Sequence, residues 1–156
     1  MEVVPVTTAP SVDVKTVVRL RHRQVVDRLD ELRLVRKLAA QMSQSEIARL
    51  LAISQPAVHK ALKAAERVPE VADGFSGASP YEIAERYAAG QIDRARVIDE
   101  LARWPYTSTP KTDGVDWLVE DATGTFEEVG RALDDGLLDA DTYDAVLAAK
   151  SGRSAG

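Results

Sequence analysis

Cysteine is absent from this chain of 156 residues, so neither a disulfide framework nor a thiolate zinc site can form. Histidine occurs only at positions 22 and 59, and no HExxH, Walker or GxSxG pattern appears, which leaves little from which to assemble a catalytic centre. His59 has Gln55 and Lys63 at four residues on either side, so no second metal ligand stands at helical spacing. Paired acids such as Asp134-Asp135 and Glu127-Glu128 read as solvated helix surface in so acidic a chain. Aromatic residues make up only 5% of the sequence. With Ala, Leu, Val, Arg, Asp and Glu abundant, that scarcity favours helix over sheet. The longest apolar run, Ala145 to Ala149, is too short for a membrane span, and MEVVPVTTAP lacks the basic-then-apolar order of a signal peptide. The expectation is an all-α, cytoplasmic, non-enzymatic protein with no cofactor, metal or membrane partner.

What is present is divided by charge. Residues 1 to 68 hold twelve Lys or Arg against seven Asp or Glu, a net of +5, and residues 69 to 156 hold eight against eighteen, a net of −10. The two sum to the overall −5. A basic half joined to an acidic half implies two tasks, the first suited to a phosphate backbone and the second not. The plainer alternative is two solvated faces of one domain.

The basic half contains MSQSEIARLLAISQPAVHKALK, residues 42 to 63. Ser43 with Glu46 forms a capping box, so a helix can start at Gln44. Ile47, Ala48, Leu50 and Leu51 give that short helix its apolar face. Ser54 can cap a second helix that begins at Gln55-Pro56, where proline is tolerated because first-turn N–H groups have no intrahelical partner. Val58 and Leu62 then point inward and leave Gln55, His59, Lys60 and Lys63 outside. This spacing resembles the helix-turn-helix of bacterial DNA-binding transcriptional regulators, with small Ala48 at the close approach, Ile53 plugging the turn and Val58 packing the second helix back. Ala52 departs from the family's usual glycine, which implies a slightly strained or reshaped turn. The resemblance implies double-stranded DNA as partner. Ser54, Gln55, Pro56, His59 and Lys60 are expected at the base edges, with Gln55 the best candidate for hydrogen bonds there. Gln44, Ser45 and Lys63, joined by Arg19, Arg21, Arg23 and Arg28, are expected at phosphates. A plain pair of packed helices is the competing reading.

Around this motif the chain divides into a loose arm (1–11), the helix-turn-helix domain (12–68), a linker (69–78), an acidic helical module (79–150) and a tail (151–156). From Asp13 to Gln41 no Gly or Pro interrupts a helical pattern in which Val18, Val25, Leu32 and Ala39 recur every seven residues, with Val14, Leu29, Val35 and Leu38 beside them. Arg36 interrupts that stripe, so the segment is either one long helix or two. Four heptad positions are the lower limit for a dimerising coiled coil, and packing onto the rest of the domain is the expected use. VPEVADGFSGAS supplies the linker, although Val71 and Phe75 point to packing. Ser79-Pro80-Tyr81-Glu82 opens a helix with a capping box and a first-position proline, and Thr125 with Glu128 is expected to cap another.

The acidic module carries an internal repeat. YAAGQIDRARVIDELA (87–102) and LDDGLLDADTYDAVLA (133–148) align without gaps, each with a glycine stop (Gly90, Gly136) and an aspartate cap (Asp93, Asp139). The module is therefore expected to contain two glycine-turn helical hairpins, similar to those of bacterial oligomerisation and interaction modules, stacked because neither buries its apolar face alone. Between them lies an irregular stretch, 103 to 126, expected as an ordered loop with a short strand or turn at Val115 to Val119. Its Trp104, Tyr106 and Trp117 serve either as core or as anchors for a protein partner. Resemblance to small two-part bacterial regulators adds a sharper version, an antitoxin whose acidic half masks a basic toxin while its basic half represses its operon. The alternatives are a repressor whose second half self-associates and an adaptor with protein partners on both halves.

Overall fold

One unbroken helix organises the described structure. The computed structural model describes residues 11–107 and 124–154, and among them are seven helices and no strand. Helix α1 runs Val12–Ala39, α2 Gln44–Leu51, α3 Gln55–Ala65, α4 Pro80–Ala88, α5 Arg94–Arg103, α6 Glu127–Asp134 and α7 Ala140–Ser154. The chain is all-helical over these residues, and none of these helices is long and apolar enough to cross a membrane. Residues 1–10 and the Val115–Val119 turn lie outside the described residues, as does Trp117.

Helix α1 starts at Ser11, whose hydroxyl accepts the Val14 N–H at 3.3 Å. Arg36 does not break it. The guanidinium turns away from the helix and donates to the Ala65 and Val68 carbonyls and to the Glu70 carboxylate, so it closes the C-terminal end of α3, where carbonyls lack helical partners. The seven-residue stripe is buried only in its second half. Leu32 and Val35 pack with Ala61, Ala65 and Val68 of the α3 side, while Val18 and Val25 remain exposed.

The acidic part is built on a larger apolar cluster that includes Ile83, Val97, Leu101, Val129 and Val146, all fully buried. Helix α4 packs on α6, and α5 on α7. Gly90 and Gly136 follow α4 and α6 with the same positive φ of 78°. At that φ a side chain is costly, and the turn lets Gln91 and Leu137 donate back to Arg86 and Ala132, each at 2.9 Å. Asp93 then accepts the Arg96 N–H at 2.8 Å and Asp139 the Thr142 N–H at 2.7 Å, which opens the next helices. The expected Thr125 cap takes another form. Phe126 stands at the N-cap of α6 without a side-chain bond, and the Glu128 carboxylate accepts the N–H of Gly124. The stretch 69–78 is also held down. Ser76 Oγ donates to Glu100 at 2.7 Å, Phe75 meets Trp104 edge-on at 4.7 Å, and Arg103 lies over the Phe75 ring.

Between the α1–α3 cluster and this larger one lies a buried ion network. Arg33 of α1 donates to both oxygens of Glu82 on α4, at 2.6 and 3.1 Å, and to the Pro69 carbonyl at 3.0 Å. Arg86, one turn along α4, donates to both oxygens of Asp30 at 2.7 and 2.9 Å and to Glu82 at 3.1 Å. Two guanidiniums and two carboxylates cancel in charge, and three of the four side chains are more than nine-tenths buried. The Ser79 box is therefore only half made. Ser79 accepts the Glu82 N–H at 3.1 Å, but the Glu82 carboxylate faces Arg33 and Arg86 instead of reaching back.

Removing one partner from such a network leaves a buried charge uncompensated. Glu82→Gln is expected to lower unfolding free energy by about 3–5 kcal/mol, measured by urea denaturation; a loss within error would show that the network carries no such role. The Arg86 hydrogen bonds, above all, hold the Asp30 carboxyl below its ordinary value of 3.8. A lowered folded-state pKa gives stability that is complete above the unfolded value and is lost as pH falls through the folded one. Asp30→Asn is accordingly expected to remove part of the acid-side loss of stability, read from denaturation curves collected down the pH scale.

Candidate nucleic-acid interface

Helices α2 and α3 are short, and their ends are fixed by side chains before any tertiary contact. The Ser43 hydroxyl accepts the Glu46 N–H at 3.2 Å while Glu46 accepts the Ser43 N–H at 3.3 Å, a complete reciprocal box. Ser54 accepts the Ala57 N–H at 3.2 Å, and Pro56 occupies the first turn of α3. Ile47, Ala48 and Val58 form the buried seam between the two helices, backed by Leu38, Ala39 and Met42.

The turn between them rests on Ala52, which adopts φ 55°, ψ 42° and is the one non-glycine residue with positive φ among those described. Ala52 itself thus takes the left-handed conformation in which glycine is usual. Ile53 does not plug it. Its side chain is exposed, and closure comes from the backbone, where the Ile53 N–H donates to the Ala48 carbonyl at 3.0 Å. Leu50 and Leu51 are exposed as well, because an eight-residue helix covers its neighbours with Ile47 and Ala48 alone.

On α3, burial of Val58, Ala61 and Ala65 turns Gln55, Pro56, His59, Lys60 and Lys63 outward together, with Ser54 exposed at the cap. Gln44 and Ser45 are exposed in the first turn of α2. Gln55 Nε2 donates to Ser45 Oγ, which ties the start of α3 to the start of α2 and holds the glutamine in one direction. No ion pair among the described residues engages Lys60 or Lys63. Arg49 and Arg67, in the same α2–α3 part of the chain, are also exposed and were not singled out from sequence, where they look like any solvated arginine.

The α1 arginines stand elsewhere. Val58 packs near Leu38, and Arg28 precedes Leu38 by ten residues, roughly 15 Å of helix, with Arg19, Arg21 and Arg23 farther still. Arg28 pairs with Glu31 at 3.2 Å and Arg23 with Asp27 at 3.7 Å, while the Arg19 side chain passes Gly90. They do not join the α3 face in one cluster. In the acidic half, Trp104 is half-buried against Phe75, and Tyr106 donates to the Leu101 carbonyl at 2.6 Å with its ring 5.2 Å from Phe126. Burial raises the Tyr106 hydroxyl pKa well above its ordinary value.

Compared with protein-family models, with curated proteins and with solved structures, the chain matches none.

A left-handed conformation costs an L-residue roughly 1–2 kcal/mol, against which glycine's extra freedom in the unfolded chain must be set. Ala52→Gly is therefore expected to stabilise the protein by about 0.5–1 kcal/mol, seen as a raised denaturation midpoint. A lowered midpoint would mean that the methyl group is held favourably at this turn.

Proposed function

We propose that this chain is a sequence-specific DNA-binding transcriptional regulator in which α2 and α3 act as a helix-turn-helix, with α3 entering the major groove. The observation that carries the reading is the single outward face of α3, where Gln55, Pro56, His59, Lys60 and Lys63 stand together on a helix whose start is capped and whose other side is buried. A glutamine can bond both Hoogsteen-edge groups of adenine, and lysines neutralise phosphates without choosing sequence. Ser54 and Pro56 at the start of α3 come nearest the base edges in such a docking, and Gln44, Ser45 and Lys63 border the backbone. The basic charge of residues 1–68 supports the same partner, and the net −10 of residues 69–156 directs the second half away from DNA, toward a basic protein surface.

The test uses the full chain and a random-sequence duplex pool, from which bound DNA is selected and then titrated by fluorescence anisotropy. Binding is expected to weaken steeply with salt as counterions are released. Gln55→Ala is expected to relax sequence choice by roughly 1–3 kcal/mol at one position, whereas Lys63→Ala weakens all sequences alike and shallows the salt slope. Absence of binding at about 50 mM salt would overturn the DNA reading. Equal loss on selected and random DNA for Gln55→Ala would overturn the role of Gln55.

A further inference from the structure

Between the faces that α1 turns to α3 and to α4 runs a stripe that is only partly covered, Leu38 meeting the α2–α3 seam and Asp27 accepting from Gln91 at 3.3 Å. Val17, Leu20, Gln24, Asp27, Glu31, Leu34 and Leu38 follow one another at alternating three- and four-residue steps, the spacing that keeps a helix face against a second helix. Val17 is 54% exposed, Leu20 50% and Leu34 60%. At the C-terminal end, Leu34, Val35, Leu38 and Leu51 of α2 floor an open apolar groove of about 430 Å³, rimmed by Asp27, Asp30 and Glu31. The stripe is therefore apolar at both ends and polar in the middle. Its two ends differ in charge, with Lys15, Arg19, Arg21 and Arg23 flanking the N-terminal valines and leucine and three carboxylates flanking the groove.

We infer that this groove receives the N-terminal half of α1 from a second copy of the chain, in an antiparallel pair about a two-fold axis near Asp27. Residue numbers facing one another then sum to about 55, a value read from the spacing of the stripe itself. Val17 meets Leu38 of the second copy, Leu20 meets Leu34, and Gln24 meets Glu31. Arg23 comes beside Asp30 of the second copy. The overlap runs from Val17 to Leu38, roughly 30 Å, and each end is covered twice because the contact is isologous. A parallel pair is the poorer on charge, since Asp27 and Glu31 would each face themselves, whereas the antiparallel pair sets only Asp27 against itself, at the axis, and places Glu31 opposite Gln24. DNA is refused by the carboxylate rim. The inference does not use the DNA-binding reading and stands or falls without it.

The chain contains no cysteine, so single thiols report on this geometry without background. Sedimentation equilibrium of the full chain is expected to give twice the mass of one chain, and Leu34→Glu, at a position already exposed, is expected to give one chain's mass with helical circular dichroism unchanged. Leu20→Cys and Leu34→Cys chains, mixed under an added oxidant, are expected to form a disulfide between unlike chains, and neither variant alone is expected to cross-link. A full chain that sediments as a monomer at every concentration would overturn the proposal and leave the groove to some other basic, apolar partner. Cross-linking of Leu20→Cys with itself would overturn the antiparallel arrangement, and a Leu34→Glu dimer would place any self-association elsewhere.

Discussion

The placement of everything else depends on two arginines that are each more than nine-tenths buried. Arg33 and Arg86 cannot lose their charge, so each must meet carboxylates in good geometry, and the structure supplies Glu82 and Asp30 from opposite helices. A buried ion network adds little net stability relative to an apolar contact of the same shape, but a broken one is expensive. Its effect is selective. Packing α1 on α4 one turn out of register would strand two guanidiniums in the interior, so this constraint favours one relative position of the two helices over near neighbours of equal apolar burial.

The apolar contacts around the network do not choose so sharply. Leu32 and Val35 meet small alanines on α3, a surface over which a helix can slide at modest cost. Arg33 and Arg36 prevent this from one turn of α1. Arg33 holds the Pro69 carbonyl, Arg36 holds those of Ala65 and Val68, and the chain leaving α3 is gripped at three successive points. The direction of α3, and with it the direction of Gln55 and Lys60, is thereby set by charged side chains at its far end.

This explains which parts of the fold were legible in the sequence. Helix starts at Ser43, Ser54, Ser79 and Asp93 are written within four residues, because a side-chain oxygen and the N–H it accepts lie that close in the chain. The glycine stops at 90 and 136 are equally local, and so is the inward and outward division of α3. The ion network is not local. Arg33 and Glu82 stand 49 residues apart, Asp30 and Arg86 56, and by type and spacing each looks like an ordinary solvated charge. Arg36 reads as a flaw in an apolar stripe for the same reason. Tertiary demand also overrides a local signal at Glu82, whose carboxylate leaves the capping box for the two arginines. In the candidate site, the outward residues of α3 follow from periodicity, whereas the separation of Arg19, Arg21, Arg23 and Arg28 from them depends on how far along a 28-residue helix α3 packs, which no pattern of residue types encodes.

A helix that serves two packing partners has consequences for how they communicate. Helix α1 contacts α3 through Leu32, Val35 and Arg36 and α4 through His22, Asp30 and Arg33, so from Asp30 onward the two sets interleave. Arg33 belongs to both, since it bonds Glu82 of α4 and the carbonyl of Pro69 in the chain that leaves α3. A shift of α4 that pulled Glu82 away would free a guanidinium whose remaining partners are that carbonyl and Asp30. The guanidinium would then be drawn toward Asp30, and its hold on the Pro69 carbonyl would loosen. Arg33 is therefore one route by which movement in the acidic part of the chain reaches the end of α3, beside the stretch 69–78 that Glu100, Arg103 and Trp104 hold.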